Sequence, residues 1–548
     1  MRVMPNPAFL TRKSVLSASV ISLIALSSGV MLSGCPGRNA GGGKVPGVLR
    51  YALTAEPTTL DPALVTDGPT IDLLHNIYEG LVGWNDSNEV VPLGAEKWDV
   101  SPDGKTYTFT LRSGVKFQNG KPIVAGDYAY AISRSLDPKL ASPVAMNYLD
   151  DIVGAKEYAA GKATALAGVK VIDDTHIAIT ITAPRSYFLG KLTFPTAYAL
   201  DKTEVEKGEK IEGAFTITAT NVVGSGPYKL GSYVRQGKVT LDANADYWAG
   251  APKLKKIERP IILDAKTARN RYDAGQLDIV TLEKGDYERD KADAKVSGEI
   301  QTFGRAATFY LGLNQTHYAP FKDKRVRQAV AHAVDKDAII KTVLLGINKR
   351  AEGVLPEGLP GYDASFKGLP FDPAKAAELL TAAGYPGGKG LPPLVLSFRE
   401  KQTDLAKAAE VMKEQLSKVG IPVTLREMEW GTFLKATDNK EIDLFHMRWS
   451  ADYLDPQNFL SLLLTSGSPE NRTGYTNKEY DAMCAAADSE RDATKRMALY
   501  AKAERFVVDD APWVPIYFQK DLELVKPWVK GIKDSLMGHL PHKTTSVE

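Results

Sequence analysis

Asp103-Gly104-Lys105-Thr106-Tyr107-Thr108-Phe109-Thr110-Leu111 is a turn followed by a run in which polar and apolar side chains alternate. β-Branched and aromatic residues at period two predict a half-buried antiparallel strand over Lys105 to Leu111. Thr175 to Thr182 repeats the pattern after the Asp173-Asp174 turn. Further along, the spacing changes to that of helices. Lys324 to Leu345 places apolar residues at Val326, Ala329, Val330, Ala333 and Val334, then at Ile339, Ile340, Val343 and Leu344, with a capping Asp335 between them. Helices are also expected over Pro373 to Ala383 and over Asp404 to Val419, where Gly420 is the stop signal, before a strand from Pro422 to Glu427. The chain is α/β throughout.

A chain of 548 residues exceeds what one hydrophobic core usually serves, so two or three domains are expected. No low-complexity linker follows Lys44 and no repeat has a fixed period, which suggests a chain that crosses between its domains several times.

The first residues have another character. Arg2, Arg12 and Lys13 precede an apolar run from Val15 to Leu32, which ends in Leu32-Ser33-Gly34-Cys35. Serines interrupt the run, and it is short and mildly hydrophobic for a permanent span of roughly 20 apolar residues. Residues 1 to 34 therefore read as a cleaved export signal. Small residues before a cysteine resemble the bacterial lipobox, in which that cysteine becomes the N-terminus and carries lipid. Gly41-Gly42-Gly43 then lies in a flexible tether over 35 to 44. An ordinary signal peptide that happens to contain a cysteine is the plainer alternative. The lipid reading anchors the protein to a membrane without spanning it, outside the cytoplasm.

Charge and chemistry exclude other classes. The formal balance is +2, and removing the three basic residues of the signal leaves 2 − 3 = −1, which gives no electrostatic case for nucleic-acid binding. Cys35 and Cys484 are the two cysteines; with the first acylated no internal disulfide forms, and Cys484, in a helical stretch from Tyr480 to Ala487, reads as a small core residue. There is no H-E-x-x-H and no G-x-S-x-G, and Gly224-Ser225-Gly226 misses the latter spacing. Of seven scattered histidines only His539 and His542 are close, and they are expected to be solvated. No enzyme, metal centre or cofactor is expected.

Several segments, in order, resemble the oligopeptide- and dipeptide-binding proteins of bacterial ABC importers, extracellular solute-binding family 5. They are Glu56-Pro57-Thr58-Thr59-Leu60-Asp61-Pro62, Ile77-Tyr78-Glu79-Gly80-Leu81, Ala95-Glu96-Lys97-Trp98, the opening stretch with Leu111-Arg112, and Phe117 to Gly120 before Pro122. Gly226-Pro227-Tyr228-Lys229-Leu230, Asn244 to Trp248, Pro320-Phe321 with Arg325-Val326-Arg327-Gln328-Ala329, and Trp449 to Pro456 complete the series. The resemblance implies a periplasmic-binding-protein-like α/β fold of class II, the large three-lobed cluster C type, in which two main lobes are joined by a hinge and an extra N-terminal subdomain is added. By position, lobe I covers 45 to 78, 203 to 303 and 520 to 548, lobe II 79 to 202, and lobe III 304 to 519. It also implies a monomer that traps a short peptide by lobe closure and delivers it to the permease.

The resemblance further implies which residues hold ligand. Asp452 matches an aspartate that pairs with the peptide's α-ammonium, with Trp449, Ser450 and Ala451 beside it; Asp452 could equally cap a turn before Pro456. Trp449 and Trp430 match aromatic positions bordering side-chain pockets, although a tryptophan in a chain this size is often core. Main-chain groups of Thr66, Asp67 and Gly68 match a loop that hydrogen-bonds the peptide backbone. Departures are equally informative. Tyr318, Thr437 and Ala406 stand where relatives place cations for the ligand carboxylate, and Val144 replaces a pocket tyrosine. His446 is the basic position before the tryptophan motif, and Arg448 replaces a glycine. Carboxylate recognition has therefore moved, to Arg448 or another cation, or is absent. Other cargoes on this fold include nickel chelates, haem, sugars and opines, and a surface sensor or adhesin would leave the same sequence.

Overall fold

The computed structural model describes residues 42–548; the signal over 1 to 34, Cys35 and most of the 35–44 tether lie outside the described residues. The chain enters as β1 (Val48–Arg50) and helix α1 (Gly68–Ile77). It then forms β2 (Ala95–Val100) and β3 (Thr106–Leu111), helices α2 (Ala125–Ser135) and α3 (Ala145–Leu149), and strands β4 (Val169–Asp173) and β5 (His176–Thr180). These four strands make an antiparallel sheet of order β2-β3-β5-β4. Within β3 buried and half-buried residues alternate, as the opening stretch predicts.

The chain returns to β1 through β6 (Tyr228–Val234), β7 (Lys238–Ala243) and β8 (Lys256–Pro260), giving a second sheet of order β1-β8-β7-β6 in which β1 pairs β8 in parallel. Both sheets share one apolar core, from Leu49 and Ile257 to Phe109, Ile177 and Phe188.

The third sheet is the largest. It uses β9 (Ile279–Thr281), β10 (Ile300–Leu313), β11 (Lys349–Arg350), β12 (Leu394–Arg399), β13 (Val423–Met428), β14 (Leu444–Ser450) and β15 (Trp513–Val525), in the order β9-β15-β10-β14-β12-β13, with β11 also pairing β15. On one face pack helices α4 (Lys324–Ala333), α5 (Lys336–Thr342), α6 (Pro373–Ala382) and α7 (Thr403–Lys418). On the other pack α8 (Trp430–Asp438), α9 (Lys478–Ser489) and α10 (Ala493–Asp510). Strand alternation divides one sequence between two cores: Leu444 enters the first, Phe445 and Met447 the second. Asp335 caps α5 by accepting from the Ala338 amide, and Gly420, at φ 89°, follows α7 where a Cβ would lie 2.3 Å from the Gly387 carbonyl.

The motif residues near the start of the chain are architectural. Asp61 is fully buried and takes two hydrogen bonds from Arg134 of α2, at 2.9 and 2.5 Å, and one from the Ile217 amide. Glu79 is buried under Tyr247, Trp248 (2.7 Å) and Lys543 (2.9 Å). Ser225 accepts the Glu79 amide, and its neighbour Gly226 lies so close to Ile77 that a Cβ would meet backbone at 2.7 Å. These contacts tie distant parts of the chain together, which is why those residue types sit there.

Candidate functional site

Strand β14 carries the chain from the core to the site. Leu444, Phe445, His446 and Met447 are buried, whereas Arg448 and Ser450 are exposed and Trp449 is half-buried. Its register against β10 sets Arg448 opposite Phe309, Trp449 opposite Thr308 and Ser450 opposite Ala307. The pairing continues one step further, since the buried Ala451 donates its amide to Ala306 at 2.8 Å.

Asp452 follows at once. Asn458 fixes this corner: its Oδ1 accepts the Asp452 amide at 3.1 Å and the Trp449 indole N–H at 3.0 Å. Burial raises the Asp452 carboxyl to about 7, and Glu470 pushes in the same direction, against the Tyr148 hydroxyl, the Asn458 amide and Arg472. Arg472 is largely neutralised already by Glu470 (3.0 Å) and Asp438 (2.6 Å), and lies 5.8 Å from the Trp449 ring centre. Among the described residues Asp452 thus has no cation of its own, and a ligand ammonium would supply one. Asp455, three residues on, performs the turn role: it accepts the Gln457 amide at 2.9 Å and pairs with Arg496 at 2.7 Å.

Asp452 lies on a seam between residues 79–202 and 304–519. Its neighbour Tyr453 is fully buried, stacked on Tyr187 with centroids 6.3 Å apart and edge-on to Tyr148 at 6.5 Å, while Tyr148 stacks on Phe194 at 3.6 Å. A Cβ on Gly190 would stand 3.2 Å from Tyr453. Asn147 donates to Glu470 at 3.0 Å and Arg491 to the Pro102 carbonyl at 3.1 Å. Tyr148, Asn458 and Glu470 carried no motif in the sequence; Asn458 lies six residues on from Asp452, whereas Tyr148 comes from a distant segment.

Two further groups of expected residues surround the end of β14. Arg448 donates to Gln519 at 2.7 Å. Trp430 begins α8, with Phe433 6.1 Å away and the Arg399 guanidinium 4.8 Å over its ring. His446 is 0 % exposed between Phe309 and Tyr517, neither ring nitrogen has a partner among the described residues, and burial lowers it to about 4. It is therefore neutral near pH 7 and does not supply the cation its position suggests.

The loop at 66 to 68 opens α1. Thr66 and Gly68 are exposed, and the Asp67 carboxylate is occupied as N-cap, accepting from Thr70 at 3.0 Å and from the Thr58 hydroxyl at 2.5 Å. Its described contacts do not reach β14. Tyr318 is buried with its hydroxyl on the Pro392 carbonyl and Thr437 bonds back into α8, so neither supplies a cation, and Val144, in place of a pocket tyrosine, precedes α3. Ala406 lines a cavity of about 520 Å³ between α7, β12 and β13, with Phe398, Val411, Leu425 and Glu427. Neither Asp452 nor Trp449 borders that cavity, and the polar chemistry centres on the end of β14 instead.

One expectation is corrected. His539 and His542 are not solvated: His542 is 1 % exposed and bonds the Tyr51 hydroxyl at 2.8 Å, and His539 lies against Glu523 (3.0 Å) and Asp534 (2.9 Å). The C-terminal segment folds back onto β1 and β15, which its short-range pattern does not reveal. No group of three metal-ligating side chains occurs among the described residues. Cys484 is buried in the core and its thiol is pushed up to about 12 by that burial.

A family model described as bacterial extracellular solute-binding proteins, family 5, matches residues 89–471. The dipeptide-binding protein of Bacillus subtilis (strain 168) is 32% identical over 502 residues, covering 89% of this chain and 90% of the relative. A probable deoxycholate-binding periplasmic protein of Escherichia coli (strain K12) is 33% identical over 495 residues, covering 88% and 90%. Among solved structures, the murein tripeptide binding protein of Escherichia coli superposes with a TM-score of 0.80 at 30% identity, covering 91% of this chain and 98% of that one.

Proposed function

Because the chain belongs to the bacterial extracellular solute-binding proteins, family 5, we propose that it captures short peptides outside the cytoplasmic membrane and delivers them to the permease of an ABC importer. One observation carries this reading: Asp452 is a desolvated carboxyl without a cation, set beside Trp449 on the seam between two parts of the chain. A peptide α-ammonium offers the charge that this carboxyl lacks, and extended peptide backbone can pair with the exposed end of β14.

Closure follows from the same geometry. We take residues 45 to 78, 203 to 303 and 520 to 548 as lobe I, 79 to 202 as lobe II and 304 to 519 as lobe III, with the long strands β10 and β15 as the crossing pair. Asp452 and Tyr453 are adjacent, so a ligand held by the first favours the arrangement in which the second is stacked on Tyr187 and Tyr148. Ligand shifts the equilibrium by its differential affinity for the closed state. Lipid on Cys35 would keep this monomer at the membrane; no helix among the described residues is long and apolar enough to cross one.

A non-peptide solute is the second reading, favoured by the 33% identity to a deoxycholate-binding relative. Paired titrations of a free tripeptide and its N-acetyl analogue into wild type and Asp452→Asn separate the two. Loss of a buried ion-pair partner costs roughly 3 to 5 kcal/mol, or about two to three orders of magnitude in Kd, for the free amine alone. Equal weakening of both peptides removes Asp452 from amine recognition.

A further inference from the structure

The two long strands that cross between lobes I and III are interrupted where they cross. β10 pairs β15 from Ile300 to Gly304, which stands opposite Lys520, and pairs it again from Thr308, opposite Phe518. Arg305, Ala306 and Ala307 therefore bulge against the single residue Gln519, and the ladder that stiffens both strands is broken there. Backbone groups freed by a bulge need other partners. The Ala306 amide finds one outside the sheet: it donates at 2.9 Å to the carbonyl of Leu536, at the tip of a hairpin whose strands are Asp534–Ser535 and Gly538–His539. Arg305 adds charge to the same junction. Its side chain is 9 % exposed and lies between Asp521 of β15 and Asp534 of the hairpin, each at 2.6 Å, and it donates to the Ser535 carbonyl at 3.0 Å.

The hairpin is held from three sides. Its Leu536 amide donates to Asn88 at 2.8 Å and the preceding Lys533 pairs with Asp86 at 2.6 Å, which ties it to a turn of lobe II. His539 lies against Glu523 of β15 at 3.0 Å, which ties it to lobe I. Towards lobe III the Leu536 side chain seats on Gly358, where a Cβ would stand 2.9 Å from it, and borders a cavity of about 190 Å³ together with Lys349 and Phe518. We propose that the bulge at residues 305 to 307 is the hinge of lobe closure and that the hairpin is a strap across it, carried on lobes I and II, whose seat on Ala306 and Gly358 fixes the closed angle. The inference rests on reading this protein as one that closes over its ligand. Rotation of lobe III about the bulge would draw Ala306 and Gly358 away from Leu536. Contacts made in the closed state alone raise the affinity for every ligand by the same factor, whatever its chemistry.

The test compares wild type with Leu536→Ala, which empties the seat, and with Asn88→Gly, which removes the anchor of the Leu536 amide. Position 88 has φ 63°, a conformation that glycine adopts freely, so the second variant leaves its turn unstrained. Two readouts need no ligand: hydrogen exchange in the segment around Ala306, and the radius of gyration of the ligand-free protein from small-angle scattering. The third is calorimetric affinity for tri-alanine and its N-acetyl form. In Leu536→Ala, exchange around Ala306 is expected to quicken roughly tenfold, the radius to grow, and Kd to rise by one common factor, roughly tenfold, for both peptides; Asn88→Gly should move all three the same way by less. A Kd that does not move, or that moves differently for the two peptides, overturns the strap and leaves the hairpin a stabilising element. If neither peptide binds the wild type, the peptide reading falls and the ligand-free readouts decide the strap: quickened exchange confined to the bulge with a larger radius supports it, and unchanged values overturn it. If Leu536→Ala does not fold, Asn88→Gly carries the same test.

Discussion

Asp452→Asn stabilises the ligand-free protein while impairing its ligand binding. Burial raises the Asp452 carboxyl from 3.8 to about 7, which at about 1.4 kcal/mol per tenfold change in proton affinity makes its ionisation cost about 4 kcal/mol in the folded state. Partial solvent access screens that cost to about 2 kcal/mol. The sign follows from proton uptake. Between the unfolded value and about 7 the folded state holds a proton that the unfolded state has released, so stability falls as pH rises through this window. An amide never ionises and escapes the cost, and the backbone bond from residue 452 to Asn458 is unchanged. Urea denaturation of both proteins, ligand-free, at about pH 7.5 and about pH 4 reads the effect. The variant should be more stable by about 2 to 4 kcal/mol at the higher pH and by less than about 1 kcal/mol at the lower. A variant that is less stable at the higher pH, or equally shifted at both, refutes the desolvated carboxyl. A residue that costs stability and provides binding fits the trade-off common at functional sites.

Other outcomes follow from the same contacts. Affinity for a free-amine tripeptide should rise about tenfold per pH unit from about pH 5 to 7 and then level off, as calorimetry across that range would read; a flat profile disconnects Asp452 from the amine. Arg134→Met strands the buried Asp61 and should cost about 3 to 5 kcal/mol in denaturant titrations. Burial alone would lower His539, but Asp534 and Glu523 carry it up to about 10. Its stabilisation should therefore be complete below about pH 6.5 and lost as pH rises towards 10, so His539→Gln should destabilise the protein strongly at pH 6 and little at pH 10.5, and the His539 imidazole resonances should shift only near about pH 10. Cys484 should resist a thiol reagent in native buffer and react only on unfolding, because a buried thiol pushed up to about 12 offers almost no thiolate.

What the sequence disclosed was mostly local. Period two in Thr106 to Leu111, the cap at Asp335 and the stop at Gly420 each act within a few residues, and each is where the spacing puts it. The motif segments disclosed the family order, and their acids prove to be the buried joints of the fold, Asp61 on Arg134 and Glu79 on Trp248. Partners brought in from afar left no such trace. Tyr148 beside Asp452 comes from α3, about three hundred residues earlier, and Arg399 ends a buried strand whose pattern predicts only β-structure. The same blindness explains His539 and His542, polar residues near a terminus that long-range contacts bury. His446 is basic by letter and neutral by environment, and only its packing between Phe309 and Tyr517 reveals that.

The most direct test is mass spectrometry of the compound that the gently purified protein retains, released by denaturation and identified by mass and fragmentation. Short peptides with a free amine, bound in one-to-one ratio to the chain, are expected. A single non-peptide compound in their place would contradict peptide capture and leave only the fold and its family standing.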